Sequence, residues 1–248
     1  MLKKALNLCI CSMLLICISP GCSKENSEPP DPPPVSTITD LDGNVYQTIT
    51  IGAQVWMASN LRVTRYRNGD TIGTAATDSI WGATNTGLYC DYENNPGHSA
   101  ADGHLYNWMA VNDPRGLAPE GWRVPTDADW TQLAGFLIQN GLGYEGSGDD
   151  IAKALATDSD WSFTDIPGSI GNRQEENNAS GFSALPAGFR NHEGLFGGAG
   201  SYAGFWSATL YPGSDSYALM RILTSNNTTL GRSNTLVTMG LSVRCIKN

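Results

Sequence analysis

The chain has 248 residues, of which 40% are apolar and only 16% are charged, and its formal net charge is −9. It has no glycine repeat, no long Ala/Glu/Lys/Leu tract and a single long apolar run, which excludes collagen, a coiled coil and a polytopic membrane protein. The acidic balance argues against nucleic acid as a partner, because phosphate binding needs clustered Lys and Arg.

The first 21 residues are typical of a secretory signal. Two lysines precede an apolar stretch that is shorter than the roughly 20 residues of a membrane-spanning helix. The stretch ends Ser19-Pro20-Gly21-Cys22 and resembles a bacterial lipoprotein signal, in which the cysteine becomes the lipidated first residue. Ser19 stands where such signals usually carry Leu, and the alternatives are an ordinary signal peptide cut near Ser19 or a plain N-terminal anchor. We expect residues 1–21 to be removed and Cys22 to carry the lipid.

Removal of residues 1–21 changes both the charge and the cysteine count. Two lysines and no acid are lost, which takes the net charge from −9 to −11. With Cys22 lipidated, only Cys90 and Cys245 remain of the six cysteines. In an exported chain two cysteines favour one disulfide, and two buried free thiols are the alternative.

Residues 22–37 form the lipidated cysteine and a tether. The segment after Cys22 reads SKENSEPPDPPPVST, with five prolines and no aromatic residue. Such a segment cannot build a core, and its prolines favour an extended spacer of about 3.1 Å per residue. The sequence therefore predicts a domain that is held away from a membrane by a lipid anchor.

Residues 38–248 are predicted to form one β-rich domain. Apolar and polar residues alternate over 45–51, and 55–57 is a second short apolar segment. A third strand is expected over 217–223. Over 237–245 the apolar residues fall on one face and the polar residues on the other, which predicts a half-buried C-terminal strand.

One helix is well indicated after Pro125. Thr126 is a good N-cap and Asp129 stands where a capping-box acid is expected. The apolar residues from Trp130 to Ile138 follow helical spacing, and Gly141 is a natural end. A shorter helix is expected over 149–156, and 103–111 could be helix or strand.

Long polar stretches separate these elements at 66–104, 139–150, 157–181 and 191–201. Irregular connections of this length are uncommon in compact domains and are usually functional or disordered. Aromatic residues punctuate them, so we expect ordered loops.

Several motifs together carry a family resemblance. They are LYNWMAV at 105–111, PEGWRVPTDADW at 119–130, GFSALPAGFR at 181–190, FWSAT at 205–209 and SVRC at 242–245. In order and spacing, along residues 39–247, they resemble the Fibrobacter succinogenes major paralogous domain family. The GWRVPT helix start also resembles that of the formylglycine-generating enzyme and C-type lectin-like superfamily.

The resemblance implies an α+β, C-type lectin-like domain with mainly antiparallel short strands, two or three helices and long loops. Family members are typically exported proteins of the Bacteroidetes and Fibrobacter lineages, often lipoproteins. An outer membrane lipoprotein at the periplasmic face or the cell surface is therefore expected. Cys90 matches a cysteine found in a subset of members, which supports pairing of Cys90 with Cys245, although Ala118 stands where many members have another cysteine.

Catalysis is not indicated by the residues. Nucleophilic catalysis needs a positioned base, and the three histidines, His98, His104 and His192, lie in no nucleophile motif. The paired C-terminal cysteines of the oxidising superfamily members are absent, and His98 and His104 do not reproduce the three-histidine site of the iron-dependent ones. A glycosidase would need two carboxylates that sequence alone cannot pair.

Two loops are rich in hard oxygen ligands. Six to eight such oxygens can bind calcium, but solvated polar loops are the commoner explanation and the sugar-binding motifs of C-type lectins are absent. No cofactor is therefore expected beyond this candidate calcium, and these loops are candidates for ligand binding: Asp91, Glu93, Asn94 and Asn95 in one, and Glu175, Glu176, Asn177 and Asn178 in the other.

Two aromatic residues also stand in polar loops. Trp81 and Tyr92 could stack on a sugar ring or a partner, or could anchor their loops. The other tryptophans of the motifs and apolar faces are expected in the core. Around Thr71 and Ser79, the triplets Asp-Thr-Ile and Asp-Ser-Ile resemble acceptor sites of Bacteroidetes O-glycosylation.

Three functional hypotheses follow. The first is a non-enzymatic, membrane-anchored binding module that contacts glycan or another component of the cell envelope. The second is a structural or accessory subunit of a surface protein complex. The third is an enzyme of unknown chemistry.

Overall fold

The computed structural model describes residues 36–75 and 77–248. Its strands are β1 (Thr37–Thr39), β2 (Val45–Ile51), β3 (Gln54–Met57), β4 (Gly73–Thr74), β5 (Leu88–Cys90), β6 (Leu105–Tyr106), β7 (Trp122–Arg123), β8 (Ala187–Arg190), β9 (Phe196–Ala199), β10 (Tyr202–Leu210), β11 (Tyr217–Thr224), β12 (Gly231–Leu236) and β13 (Ile246–Lys247). Its helices are α1 (Asp78–Ala83), α2 (Pro96–Asp102), α3 (Trp108–Val111), α4 (Asp127–Gln139) and α5 (Ala152–Leu155).

The strands form two curled five-stranded sheets and one small sheet. The first sheet has the order β1-β2-β3-β13-β7, the second β12-β11-β10-β8-β9 and the small one β4-β5-β6. Most neighbours are antiparallel, while β8 pairs with β10 and β4 pairs with β5 in parallel. The chain is thus mostly β, with few short helices.

The expectation of an α+β, C-type lectin-like fold was wrong. The GWRVPT segment does begin a capped helix, α4, but this is the one long helix of the described residues, and the other four have four to seven residues. A helix-start motif specifies local capping and says nothing about how distant strands pair. The strand order, which decides the fold class, came from contacts that the motifs do not encode.

The predicted strands at the N-terminal side are confirmed. The alternating segment forms β2 and the apolar segment forms β3, which pair with Ile49 opposite Trp56. β1 begins at Thr37, within the segment assigned to the tether. Asp40 fastens the turn after β1, because its carboxylate accepts bonds from the Asn44 amide and, at 2.6 Å, from the Tyr46 hydroxyl.

Helix α4 follows its sequence signals closely. Thr126 is the N-cap, and its hydroxyl and the Asp129 carboxylate form the reciprocal capping box. Trp130, Leu133 and Leu137 are buried, whereas Ile138 at the edge of the stripe is exposed. The 103–111 segment divides into β6 and then α3, so both readings of it hold in part.

The C-terminal segment differs from its prediction. Single bridges join Gly240 to Arg190, Leu241 to Tyr106 and Ser242 to Phe205, and only Ile246–Lys247 form a strand. The polar residues Ser242 and Arg244 are buried together with their apolar neighbours. This segment runs between the sheets, so both of its faces lie in the core.

Arg244 is fully buried without a carboxylate partner. Its guanidinium donates to the Asn60 side-chain oxygen at 2.8 Å and to the backbone oxygens of Met57, Phe182 and Ser183. Burial lowers the pKa of Arg244 to about 9, which leaves it charged at neutral pH. Satisfied donors of this kind make a buried charge tolerable, and they tie the C-terminal segment to two other parts of the chain, 57–60 and 182–183.

The five tryptophans expected in the core are buried there: Trp56, Trp108, Trp122, Trp130 and Trp206. Within residues 36–75 and 77–248, the structure has no helix with the length and apolar character needed to cross a bilayer.

Candidate ligand-binding cleft

The loop at 91–95 turns its polar side chains in different directions. The Asn95 side chain caps α2 by accepting from the Gly97 amide at 3.0 Å. Glu93 and Asn94 are exposed, and each adopts the left-handed conformation with φ 53°. These oxygens therefore do not converge on one point.

Asp91 points inward and organises a small polar cluster. Its carboxylate accepts a hydrogen bond from the Ser99 hydroxyl and contacts Nδ1 of His104 at 2.8 Å. His104 is only 7% exposed, so burial lowers its pKa below the ordinary 6.5 while the Asp91 charge partly raises it. His98 forms a separate pair with Asp102 at 3.2 Å.

In the second loop, the two asparagines serve the loop itself. Asn177 donates to the backbone oxygens of Thr157 at 2.8 Å and Ile170 at 3.1 Å. The Asn178 amide donates to the Ser183 hydroxyl at 2.9 Å. The side-chain nitrogens of both asparagines thus hold neighbouring segments together, and the Asn178 oxygen accepts from the Ser183 amide at 2.9 Å.

The two glutamates of this loop are at the surface. Glu175 and Glu176 belong to a single 3-10 turn, Gln174–Glu176, whose N-cap is Arg173. Arg173 adopts the left-handed conformation with φ 50° and forms an ion pair with Glu176, with Glu175 at 3.9 Å. The loop thus presents a guanidinium and two carboxylates side by side.

Beneath this turn, the ammonium group of Lys153 is surrounded by backbone oxygens. Lys153 is 6% exposed and donates to the carbonyls of Asn172 and of Arg173, the latter at 3.1 Å, with the Ser169 carbonyl at 3.5 Å. Burial lowers the pKa of Lys153, and the Glu176 carboxylate partly raises it. We call Lys153 and these three carbonyls the lysine cage. It fixes the backbone that carries Arg173.

An open cleft of about 450 Å³ lies over the lysine cage. Tyr144 and Glu145 stand on one wall, in a second 3-10 turn, and Glu145 is left-handed with φ 59°. Arg173 and Glu176 stand on the other wall. The lining residues are Gly141, Leu142, Gly143, Tyr144, Glu145, Lys153, Ala154, Arg173, Glu176 and Ala179.

Two glycines allow the Tyr144 wall to close up. A Cβ on Gly143 would lie 2.2 Å from the Ser147 carbonyl oxygen, and one on Gly168 would lie 2.8 Å from the Tyr144 ring. Gly168 also has φ +78°, which favours glycine. The tight loop therefore requires glycine at position 143, and the position of the Tyr144 ring requires glycine at position 168.

A larger groove, of about 540 Å³, runs along α4 between Ile51 and Gln139. Its lining has no ionisable side chain. The Tyr144 cleft combines an aromatic ring, both signs of charge and a rigid floor, which is the usual make-up of a small-molecule site. We therefore take it as the candidate functional site.

Trp81 and Tyr92 are buried and anchor their loops. Trp81 is 0% exposed and lies under the guanidinium of Arg190, 4.6 Å from its ring centroid. Tyr92 is 9% exposed and packs edge-on against Phe196. Both rings therefore pack within the protein and anchor their loops, and neither presents a face for stacking on a sugar or a partner.

Cys90 and Cys245 are free thiols in the structure. Cys90 lies in a cluster with Trp81 and Leu105, and Cys245 lies in a different cluster with Met57. Burial raises the pKa of each thiol to about 12. The arrangement is that of two buried free thiols.

The side-chain oxygens of Asp91, Asn95 and Asn178 accept hydrogen bonds within the protein. The Asn177 side-chain oxygen is buried and has no partner among the described residues. His, Cys, Asp and Glu side chains do not group in threes as a metal site anywhere in residues 36–75 and 77–248. Thr71 and Ser79 are exposed. The predicted lipid site, Cys22, lies outside the described residues.

Sequence reasoning found the loop with Glu175 and Glu176 but missed Tyr144, Glu145, Arg173 and Lys153. A signal for Tyr144 existed, since it stands among glycines in one of the long polar stretches. Lys153 gave no signal, because a single lysine after an apolar residue reads as a surface position.

Comparison with known proteins gives one match. The family model described as the Fibrobacter succinogenes major domain matches residues 49–247. No curated protein and no solved structure matches the chain. Because the family model covers most of the chain, including β3 to β13 and the whole Tyr144 cleft, this protein belongs to the Fibrobacter succinogenes major domain family.

Proposed function

We propose that this protein is an exported, lipid-anchored and non-enzymatic binding module, whose Tyr144 cleft takes a glycan or another component of the cell envelope. The observation that carries the proposal is the cleft itself. An aromatic ring, the Glu145 carboxylate and the Arg173–Glu176 pair meet there over the lysine cage.

The chemistry of the cleft suits a ligand with many hydroxyl groups. A tyrosine ring offers an apolar face beside a polar tip, while carboxylates and a guanidinium accept and donate hydrogen bonds. The volume of about 450 Å³ lies within the range of small-ligand sites.

Backbone strain supports the same assignment. Glu145 and Arg173 both adopt the left-handed conformation, which costs a non-glycine residue about 1–2 kcal/mol. Strained residues tend to gather at functional sites, where the surrounding structure holds them. Of the seven non-glycine residues with positive φ in the described part of the chain, two lie at this cleft, one on each wall.

The charge restricts the ligand. Lys153 is enclosed by carbonyls and Arg173 is paired, so neither cation is left over, whereas Glu145 is exposed and forms no ion pair among the described residues. The chain as a whole carries −9. A neutral or amine-bearing ligand therefore fits better than a polyanion.

The Asp91 cluster is not arranged as a nucleophile with its base. Its hydroxyl and imidazole, from Ser99 and His104, contact the same carboxylate oxygen. A nucleophile needs its base within hydrogen-bond reach, and here the Ser99 hydroxyl donates to the acid.

A glycan array probed with the full-length chain in detergent tests the binding function. We expect neutral or amino-sugar glycans to bind the wild type, and Tyr144→Ala to weaken binding at least tenfold. Tyr211→Ala is the control, because it removes a tyrosine side chain that is 43% exposed and does not line the cleft, and it should bind as the wild type does. No glycan bound by the wild type, together with stoichiometric protein partners after purification from membranes, would favour the accessory-subunit hypothesis.

The anchor has its own test. Cells labelled with a palmitate analogue should incorporate the label into the wild type and not into Cys22→Ala. The proposed anchor predicts that the labelled protein sediments with membranes. Equal labelling of both chains would contradict attachment at Cys22.

A further inference from the structure

The arginines of the described residues are nearly all matched with acids. Apart from Arg62 and Arg244, each lies within 4.0 Å of a carboxylate: Arg65, Arg67, Arg115, Arg123, Arg173, Arg190, Arg221 and Arg232. In a chain with more acids than bases this pairing is expected. For Arg62 and Arg244, the question is which other groups satisfy the guanidinium.

Arg244 is accounted for by its surroundings. Its guanidinium nitrogens reach four protein oxygens in the core, including that of Asn60. It needs no further partner.

Arg62 has no such set of acceptors. Its Nη1 donates to the Ala100 carbonyl at 2.8 Å, while Nε is buried and has no partner among the described residues. The guanidinium lies 5.9 Å from the ring centroid of Tyr46, which positions its plane without satisfying its donors. A buried donor without an acceptor costs about 1–3 kcal/mol.

This arginine lines a polar pocket of about 250 Å³ between β2 and α2. Gln47 contributes an amide to the pocket and Ser59 a hydroxyl, and alanines close its sides. Among the residues that line this pocket, Arg62 alone has an ionisable side chain. The free charge facing the pocket is thus the guanidinium.

We infer that this pocket is a second binding site, which takes a carboxylate or phosphate group on the Arg62 guanidinium. A planar guanidinium matches both groups through paired N–H donors, and Ser59 and Gln47 supply further donors. The site is separate from the Tyr144 cleft, which is lined by other segments. The two sites differ in sign: the cleft disfavours anions and the pocket selects them.

The test follows the Arg62 side chain directly by NMR of the full-length chain in detergent. The Nε–H signal of Arg62 is identified by its loss in Arg62→Lys. Sodium acetate and sodium phosphate are added at constant ionic strength, with acetamide as the neutral probe. We expect acetate or phosphate to shift the signal saturably and acetamide to leave it unchanged, and the stronger anion identifies carboxylate or phosphate as the source.

The neighbouring Arg65 is the matched control, because it is already paired with Asp42 at 3.3 Å. Its Nε–H signal should not shift, and Arg65→Gln should keep the site. Arg62→Gln should weaken anion binding at least tenfold, as followed at the Gly103 amide, with an unchanged melting temperature as the check on folding. Anion shifts that are absent, that occur equally at Arg65, or that persist in Arg62→Gln would overturn the inference.

Discussion

The two oxygen-rich loops differ in how each one satisfies a buried basic group. Near α2, His104 is held by the side-chain carboxylate of Asp91. Near α5, Lys153 is held by three backbone carbonyls in the lysine cage.

The difference explains why the second loop presents carboxylates at a cleft. The Asp91 carboxylate contacts Ser99 and His104 inside the protein, and the side-chain oxygens of Glu93, Asn94 and Asn95 point in different directions. The lysine cage uses backbone oxygens, so the carboxylates of Glu145, Glu175 and Glu176 stay at the surface. A basic group satisfied by backbone leaves acidic side chains for other uses.

The largest effect is expected from Lys153→Met. The methionine fills a similar volume but leaves the cage carbonyls without a donor, which should reduce the free energy of unfolding by about 2–4 kcal/mol. Lys247→Met makes the same change at an exposed position and should alter it by less than about 0.5 kcal/mol. Chemical denaturation measures both, and equal values would refute the lysine cage.

A second effect should appear as a pH dependence of stability from the Asp91 cluster. The pKa of His104 is lower in the folded chain than its ordinary 6.5, so the unfolded chain takes up the proton first. Its contribution to stability is complete above pH 6.5 and is lost as the pH falls from there through the lowered pKa of the folded chain. Denaturation curves at several pH values should show this slope flatten in His104→Asn and persist in His192→Asn, where the side chain is exposed. A slope unchanged in His104→Asn would place its origin elsewhere.

Gly168→Ala should affect the cleft more than the fold. The added Cβ meets the Tyr144 ring at 2.8 Å and a φ of +78°, so we expect a loss of about 1–2 kcal/mol and displacement of the ring. Binding on the glycan array should fall severalfold. Gly213→Ala tests the same φ strain, at +81°, with nothing within 4 Å of its Cβ, and should leave binding unchanged. A comparable loss of binding in both variants would contradict a role of the Tyr144 ring in binding the ligand.

The smallest effects should come from the exposed acids. Glu93→Gln and Glu175→Gln should each change stability by less than about 0.5 kcal/mol, because both side chains lie in solvent. We further expect calcium chloride to leave the melting temperature unchanged, since neither loop gathers its oxygens. A calcium-dependent rise that Glu93→Gln or Glu175→Gln abolishes would contradict this.

Local patterns predicted the local elements well. The capping residues of α4 and the alternation of β2 act through neighbours within a few positions, so a short window of sequence contains their causes. The polar face of 237–245 misled for the opposite reason. Arg244 is buried because oxygens from Met57, Phe182 and Ser183 reach it, and these partners are distant in the chain.

The candidate site divides in the same way. Glu175 and Glu176 were found because exposed acids in a polar loop look the same in sequence and structure. The roles of Asn177 and Asn178 could not be predicted from sequence, because an amide bonds equally well to a ligand or to a neighbouring protein group. The cleft itself depends on Gly168 lying against Tyr144, a contact between two separate loops that no local pattern encodes.

The central claim is that the Tyr144 cleft, and not the Asp91 loop, receives the ligand. Hydrogen–deuterium exchange of the full-length chain, with and without the strongest glycan from the array, tests it most directly. The account predicts added protection at residues 141–146 and 173–179 and unchanged exchange at 91–102. Protection confined to 91–102, or none at 141–146 at saturating glycan, would contradict it.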